Sequence, residues 1–232
     1  MPDLEPIIPI IPTIADELAD IVRVGLVRAA PVAVGEAGAE LKRKISSLCN
    51  ALRSTHAGQA PSKIPGLQSA RDLYRAFGID PTRIRPSSEA LLRRVMRGQD
   101  FPHINSAVDV CNLIGLRSLL PPGLYDADAI DGPVVLRRGE AGESFEGIRK
   151  ADVHLAGRPT LADTVGAFGN PTSDSLRTSV SESTQSLWFV LFAPASFSRE
   201  QLEIEIERAQ DDMARYLAPV GVAVETHATV IP

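Results

Sequence analysis

Arginines are concentrated in one short stretch of the chain. Residues 83–97 contain five arginines and a single acidic residue, Glu89. On a helix, Arg93 and Arg97 would share a face at a spacing of four, whereas Arg94 would point elsewhere. One interpretation is a phosphate-contacting patch formed by Arg85, Arg93, Arg94 and Arg97. The other is a solvated helix face with internal ion pairs, which charge runs often form.

A second stretch, residues 101–116, carries amide and carboxyl groups among apolar residues. Asn105, Asp109 and Asn112 are spaced four and three apart, so they would lie on one face of a helix. Buried polar groups need hydrogen-bond partners. This stripe therefore either organises the neighbouring loops or lines a ligand site.

The third stretch, residues 168–188, is rich in hydroxyl groups, Gly and Asn. It includes Asp174, Ser175, Arg177 and Thr178, which can present donors and acceptors to a polar ligand. Long hydroxyl-rich segments also serve as plain connections between strands. The residue types alone leave both interpretations open.

The sequence offers no familiar metal or nucleotide motif. The histidines and cysteines are scattered at His56, His103, His154, His227, Cys49 and Cys111. No CxxC or HxxxH spacing brings them together, so we predict neither a metal site nor a cofactor. The sequence also lacks a GxSxG element, a Walker loop and a dinucleotide-binding glycine pattern.

Composition limits the classes of function. Apolar residues make up 44% of the 232 residues and charged residues 23%, which is typical of a globular protein. Aromatic residues make up only 5%, which argues against a base-stacking platform. Because the net charge is −5, we expect any contact with nucleic acid to be small, local or transient. With no secretory signal and no run of 18 apolar residues, we expect a cytoplasmic protein that does not cross a membrane.

Periodicity predicts the elements that position these residues. The predicted helices cover 36–56, 67–77, 87–96, 105–116 and 198–217. The predicted strands cover 21–34, 133–137, 159–162, 187–192 and 220–226, after an extended arm over 1–12. Ser87 or Ser88 is the expected cap of the third helix, and residues 121–123 are expected to form a rigid turn. The fold class is α+β, with a sheet-rich second half.

The three stretches, in this order, resemble a known family. RPSSEALLRRVMRGQDFPHINSAVDVCNLIGLRSLLPPGLYDADAIDGPVVLRRGEAGESFEGI is similar to the B3/B4 domain of the phenylalanyl-tRNA synthetase β subunit. The shared features are an Arg-Arg helix, an IN…VD…N segment, YD.D.I.G and R…GE.F. The resemblance is clear over 70–195 and looser elsewhere. It implies one free-standing domain over 1–232, in which 1–66 add a strand and a helix and 198–232 a helix and a strand.

This resemblance implies a B3/B4-like fold, a sheet-rich core with flanking helices, and a pocket for the aminoacyl group at the 3′ end of tRNA. In the synthetase, the domain hydrolyses tyrosine wrongly esterified to its tRNA. Such hydrolysis needs a positioned water and donors for the developing oxyanion rather than a covalent nucleophile. Asn112 matches the family's pocket-wall Asn, and Gly166, Gly169 and 174–178 fall in the Gly-rich editing loop. The implied substrate-binding residues are Asn105, Asp109, Asn112, Arg137, Glu143, Asp163, Asp174, Ser175, Arg177 and Thr178.

Two departures from the family bear on function. The family's His falls at Gly123, and an ungapped alignment places Ser179 at the Glu that recognises the tyrosine hydroxyl. The leading hypothesis is an RNA-binding protein that deacylates mischarged tRNA in trans, with no general base assigned. The first alternative is a non-catalytic binding module for a free amino acid or small metabolite. The second is a partner subunit with a vestigial pocket. Because the sequence shows no aminoacylation core, we expect that this chain does not charge tRNA alone.

Overall fold

The computed structural model describes residues 10–148 and 151–231. The helices are α1 (Asp16–Ala19), α2 (Ala39–Thr55), α3 (Leu67–Ala76), α4 (Ser87–Met96), α5 (Ser106–Ser118) and α6 (Arg199–Tyr216). The strands are β1 (Thr13–Ile14), β2 (Val22–Ala30), β3 (Pro122–Asp126), β4 (Val135–Arg138), β5 (Ser144–Phe145), β6 (Val153–His154), β7 (Pro159–Ala162), β8 (Ala167–Asn170), β9 (Ser173–Asp174), β10 (Leu187–Pro194) and β11 (Glu225–Ile231).

An antiparallel sheet of four strands, in the order β11-β2-β10-β3, forms the centre of the fold. All eight residues of β10 are buried. A strand covered on both faces is expected to be a continuous apolar run, which is how LWFVLFAP looks in the sequence. The predicted strands at 21–34 and 187–192 correspond to β2 and β10, although β2 ends at Ala30 and residues 31–34 are not part of it.

A second sheet has the order β1-β4-β7-β8-β9, in which β1 pairs parallel with β4 and the other pairs are antiparallel. Strands β5 and β6 form a separate two-stranded ribbon. The predicted strands at 133–137 and 159–162 correspond to β4 and β7. This second sheet carries the loop that follows β7 and the short strand β9.

The core divides at β10 because successive side chains of a strand point to opposite faces. On one face, Phe189 and Leu191 belong to a cluster built from helices α2, α4, α5 and α6. On the other face, Trp188 and Val190 pack with α3 and with residues of the second sheet. Helices cover one side of the central sheet and a smaller sheet covers the other, so the α+β prediction is confirmed.

Three local predictions are wrong. No side chain caps α4: Pro86 stands at the N-cap, and the Ser88 hydroxyl donates instead to the Leu119 carbonyl at 3.1 Å. Residues 122–123 begin β3 rather than forming a turn, and β3 is an edge strand whose first position tolerates proline. The last strand runs over 225–231 rather than 220–226, since the turn around Gly221 delays its start.

The predicted N-terminal arm lies mostly outside the described residues. The described part begins at Ile10, whose carbonyl accepts a hydrogen bond from the Trp188 indole at 2.9 Å. The prediction that 198–217 form a helix capped by Ser198 is confirmed, because the Ser198 hydroxyl accepts the Gln201 amide at 3.3 Å.

Candidate functional site

Four arginines and two amides line a groove of about 440 Å³ beside α4, which we call the arginine groove. Its polar lining consists of Arg85, Arg93, Arg94, Arg97, Asn112, Ser87 and Gln99, and its apolar lining of Ala90, Leu91 and Pro102. Helix α4 is amphipathic: Leu92 and Val95 are buried in the core, so its arginines are turned outward. The predicted phosphate-contacting residues are thus brought together.

A buried carboxylate lies under this groove. The Glu89 side chain is 0% exposed and accepts a bidentate pair of hydrogen bonds from Arg71, each 2.7 Å long. It also accepts Arg93 Nε at 2.8 Å and lies 3.6 Å from Arg85 Nε. Burial alone would raise the pKa of Glu89, but the hydrogen bonds from Arg71 and Arg93 outweigh burial and lower that pKa. Glu89 is therefore ionised at neutral pH.

The arginine groove has an excess of positive charge. None of its lining residues is acidic. Arg94 donates through Nε to the Asp100 carbonyl, which is not a charged partner. Within residues 10–148 and 151–231, the Arg97 side chain has no hydrogen-bond or ion-pair partner. In a chain of net charge −5, this is a local site that attracts an anion.

The polar stripe on α5 separates into three different roles. Asn105 is the N-cap of α5, and its side-chain oxygen accepts the Val108 amide at 2.8 Å. Asp109 is buried and accepts His103 Nδ1 at 2.5 Å and the Ile104 amide at 3.0 Å, so it fixes the loop before the helix. Only half-buried Asn112 reaches the arginine groove.

Arg137 and Glu143 form a pair at the end of β4. Both terminal amino groups of Arg137 bind the Glu143 carboxylate, at 2.9 and 2.8 Å, and one also donates to the Arg138 carbonyl. Glu143 further accepts the Glu140 amide at 2.7 Å. The hydrogen bonds from Arg137 lower the pKa of Glu143. This pair closes the turn over 139–143, and neither residue lines the arginine groove.

The segment over 163–178, which includes the short strands β8 and β9 and which we call the polar loop, is held by an ion pair of the same kind. Asp163 has a side chain that is 0% exposed, and both of its oxygens accept from Arg177, at 2.9 and 3.0 Å. It also accepts backbone amides of Asp131, Val165 and Gly166. Arg177 spends its terminal amino groups on Asp163 and on the Ala129 carbonyl. The pair therefore determines the shape of the loop.

Asp174, in the same loop, lies against α5 and β3. Burial, and after it the charge of Asp174, raises the pKa of Tyr74, Tyr125 and Cys111. The Cys111 thiol and both tyrosine hydroxyls are thus protonated at neutral pH. Ser179, aligned with the family's Glu, donates to the Leu176 carbonyl at 2.8 Å.

Tyr125 explains the glycine at the position of the family's His. A Cβ atom added at Gly123 would lie 2.5 Å from the Tyr125 hydroxyl oxygen, and one added at Gly169 would lie 2.2 Å from it. Both separations are far below van der Waals contact. The tyrosine ring occupies the space that side chains at these two positions would need.

Ser175 and Thr178 complete the polar loop. Their hydroxyl groups lie 3.3 Å apart, and both residues are buried. Ser175 and Arg177 line a second groove of about 320 Å³, together with Phe145, Glu146, Ala167 and Leu176. The residues implied by the resemblance are therefore divided between two grooves and several structural pairs.

The sequence did not predict that the Glu89 side chain is fully buried or that Arg71 binds it. The spacing of Arg85, Glu89 and Arg93 at four-residue intervals was a signal for the ion pairs within α4 and just before it. No sequence signal indicates Arg71, because it approaches from α3. Within the described residues, no group of three or more His, Cys, Asp or Glu side chains could hold a metal ion. No described helix is long and apolar enough to cross a membrane.

A family model described as the B3/4 domain matches residues 69–216. This range contains the 70–195 segment that carries the resemblance to the synthetase domain. Among solved structures, the chain is similar to an N-terminal fragment of the phenylalanyl-tRNA synthetase β subunit from Pyrococcus horikoshii, with 12% identity and a TM-score of 0.44. That similarity covers 95% of this chain and 53% of the fragment, so the chain spans about half of the fragment's length. No curated protein sequence matches the chain.

Proposed function

The chain belongs to the B3/4 domain family, and we propose that it is an RNA-binding module that deacylates mischarged aminoacyl-tRNA in trans. One observation carries the proposal: the arginine groove gathers Arg85, Arg93, Arg94 and Arg97 with Asn112 and has no acidic lining residue. Guanidinium groups match the oxygen geometry of phosphate esters and stay charged at every physiological pH.

The size of the arginine groove suits a local contact. Its volume of about 440 Å³ lies in the range of small-molecule sites, so it accommodates about one nucleotide rather than a length of helix. The net charge of −5 agrees with such a restricted footprint. The end of an acceptor strand is the part of a tRNA that presents a phosphate and an aminoacyl ester together.

The proposed reaction is hydrolysis of that ester. Water adds to the carbonyl carbon, the bond from this carbon to the ribose oxygen breaks, and a proton from the water passes to that ribose oxygen, so a free amino acid and an uncharged tRNA leave. In the arginine groove, the Asn112 amide and the guanidinium groups can donate to the carbonyl oxygen as it gains negative charge. No His, Asp or Glu lines the groove, so we assign no general base to the protein.

Purified protein incubated with a panel of mischarged aminoacyl-tRNAs tests the proposal. We expect release of the amino acid to be faster than spontaneous hydrolysis for at least one substrate. The variant Arg93→Ala/Arg97→Ala should lose this acceleration, whereas Arg208→Ala, on α6, should keep it. Wild-type protein that accelerates none of the substrates would eliminate the deacylase.

A second candidate is a non-catalytic binding module for a free amino acid or related metabolite. The second groove favours it, because Glu146 can pair with an ammonium group while Phe145, Ala167 and Leu176 offer apolar contact. Calorimetric titration with the standard amino acids tests this candidate. We expect binding that Glu146→Gln weakens and Glu182→Gln, an exposed control, leaves unchanged. Heats no larger than dilution for every amino acid would reject it.

A further inference from the structure

We propose that Glu89 is a positioning residue that holds Arg93 and Arg85 so that their terminal amino groups face a phosphate in the arginine groove. The inference rests on the proposed RNA binding and deepens it. Glu89 has no exposed side-chain surface, so it contacts no ligand itself. Its influence on RNA passes through the arginines that it binds.

The nitrogen atoms through which Arg93 and Arg85 approach Glu89 support this positioning role. A guanidinium has five N–H donors, one on Nε and four on the two terminal nitrogens. Arg93 spends only Nε on Glu89, at 2.8 Å. Arg85 also approaches Glu89 through Nε, at 3.6 Å. Both arginines therefore keep their terminal amino groups for a second partner.

Arg71 serves as the anchor of this arrangement. It binds Glu89 through Nε and one terminal nitrogen, at 2.7 Å each, and it does not line the arginine groove. Since Arg71 belongs to α3 and Glu89 to α4, the bidentate pair fixes the carboxylate relative to the core. A fixed carboxylate in turn restricts the arginines before a ligand arrives, which reduces the conformational entropy lost on binding.

Arg94 follows the same pattern with a different partner. Its Nε donates to the Asp100 carbonyl, so its terminal nitrogens are also left over. Two arginines outside the groove differ: Arg137 and Arg177 spend their terminal nitrogens on Glu143 and Asp163. Among these five side chains, only those of the arginine groove are held by Nε, whereas outside this set Arg117 and Arg199 also use Nε in ion pairs.

A purely electrostatic role for Glu89 and a positioning role predict opposite effects of Glu89→Gln on the affinity for RNA. Glu89→Gln removes one negative charge from a chain of net charge −5, so simple electrostatics predicts tighter binding of RNA. Positioning predicts about ten-fold weaker binding of uncharged tRNA at about 0.1 M salt, because Arg93 and Arg85 lose their orientation. The slope of log Kd against log salt should also fall in magnitude, by about 0.7–0.9 for each phosphate that the variant no longer neutralises.

Glu207→Gln, which makes the same charge change on the exposed surface of α6, is the matched control. Fluorescence anisotropy with labelled uncharged tRNA should give Glu207→Gln an affinity at or slightly above wild type. Glu89→Gln binding as tightly as Glu207→Gln would overturn the positioning role. If wild-type protein does not bind tRNA at all, the proposed function is overturned and this role with it, so the two failures are distinguishable.

Arg93→Lys keeps the inference testable if Glu89→Gln does not fold. Arg93 is a partly exposed residue with 22% of its side chain accessible, so lysine is tolerated there. Lysine retains the charge but has one nitrogen, which cannot bind Glu89 and a phosphate with separate edges. We expect about ten-fold weaker binding of uncharged tRNA. Wild-type affinity in Arg93→Lys would overturn the proposal.

Discussion

The arginine groove and the polar loop both pair arginines with a fully buried carboxylate, yet the pairs leave different groups available. In the polar loop, Arg177 spends its terminal amino groups on Asp163. In the arginine groove, Arg93 spends Nε on Glu89. A guanidinium held by its terminal edge is consumed by the fold, whereas one held by Nε can still bind a ligand. An ion pair therefore does not by itself mark an arginine as structural.

The two regions also differ in how their acidic groups are satisfied. Asp163 accepts three backbone amides in addition to Arg177, so it organises its own loop. Glu89 accepts only guanidinium N–H groups among the described residues. We therefore expect substitutions in the polar loop to change stability, and substitutions in the arginine groove to change RNA binding.

The largest change in stability is expected for Gly169→Ala, in strand β8 of the polar loop. The new Cβ would lie 2.2 Å from the Tyr125 hydroxyl oxygen, and the buried ring has no room to move away. Overpacking of this kind should lower the free energy of unfolding by about 3 kcal/mol, measured by urea denaturation. Gly38→Ala is the control, since a Cβ there meets nothing within 4 Å. Equal stabilities for the two variants would contradict the close packing of Tyr125.

Asp163→Asn should lower the free energy of unfolding by about 2 kcal/mol at neutral pH, because Arg177 and three amides lose a charged acceptor. The pKa of folded Asp163 is lowered, since the Arg177 hydrogen bonds outweigh the opposing effect of burial. Its stabilisation is therefore present above the ordinary pKa of 3.8 and is lost as pH falls through the lower folded pKa. Urea denaturation across acidic pH measures this.

For that experiment, Asp211→Asn on the exposed face of α6 is the control and should change stability by less than about 0.5 kcal/mol. The gap between wild type and Asp163→Asn should narrow at acidic pH. A gap that stays constant from neutral pH to below 3.8 would contradict the ionised pair.

Substitutions of Asn105 and Asn112 should distinguish a structural role from a ligand-binding role within one helix. Asn105→Ala removes the N-cap and should cost about 1 kcal/mol of stability without weakening tRNA binding. Asn112→Ala should change stability little but should slow the release of amino acid from mischarged tRNA. Thermal melts and the deacylation assay measure both variants. Loss of folding in Asn112→Ala would instead favour a structural network.

The smallest effect is expected for Arg97→Ala in the arginine groove. Removal of one phosphate-binding guanidinium should weaken tRNA binding about three-fold and reduce the salt slope by about 0.7–0.9. Stability should be unchanged within about 0.5 kcal/mol, because Arg97 is exposed. Arg208→Ala provides the control for loss of one positive charge on another helix. An identical response of the two variants would show that only net charge matters.

Much of the secondary structure could be predicted, since it depends on local periodicity. The helices α3, α4 and α6 and the strands β7 and β10 lie close to their predicted bounds, whereas β2 ends four residues before its predicted end at 34. Errors occurred where an edge strand accepted proline, at 122–123, and where a turn displaced the last strand. Both depend on which neighbour a strand has, and the sequence does not give that. The single-domain assignment of 1–232 stays a prediction.

The candidate site could be predicted only in part. The arginines of α4 were named because they lie within one short stretch, and the fold brings them together with Asn112. Asn105, Asp109, Arg137, Glu143, Asp163 and Arg177 were named by type, and the structure shows each hydrogen-bonded to other groups of the protein. Residue type indicates that a group can bind a ligand, but not whether the fold already uses it.

The sequence by itself determined the α+β fold class, the B3/4 family and the position of the basic stretch, because these depend on composition, periodicity and ordered motifs. Only the tertiary structure decided which polar groups remain available to a ligand. Arg71 comes from α3 and binds the buried carboxylate of Glu89 on α4. The direction in which Arg93 presents its donors follows from that contact, since hydrogen bonds between distant segments have no signature in the order of residues.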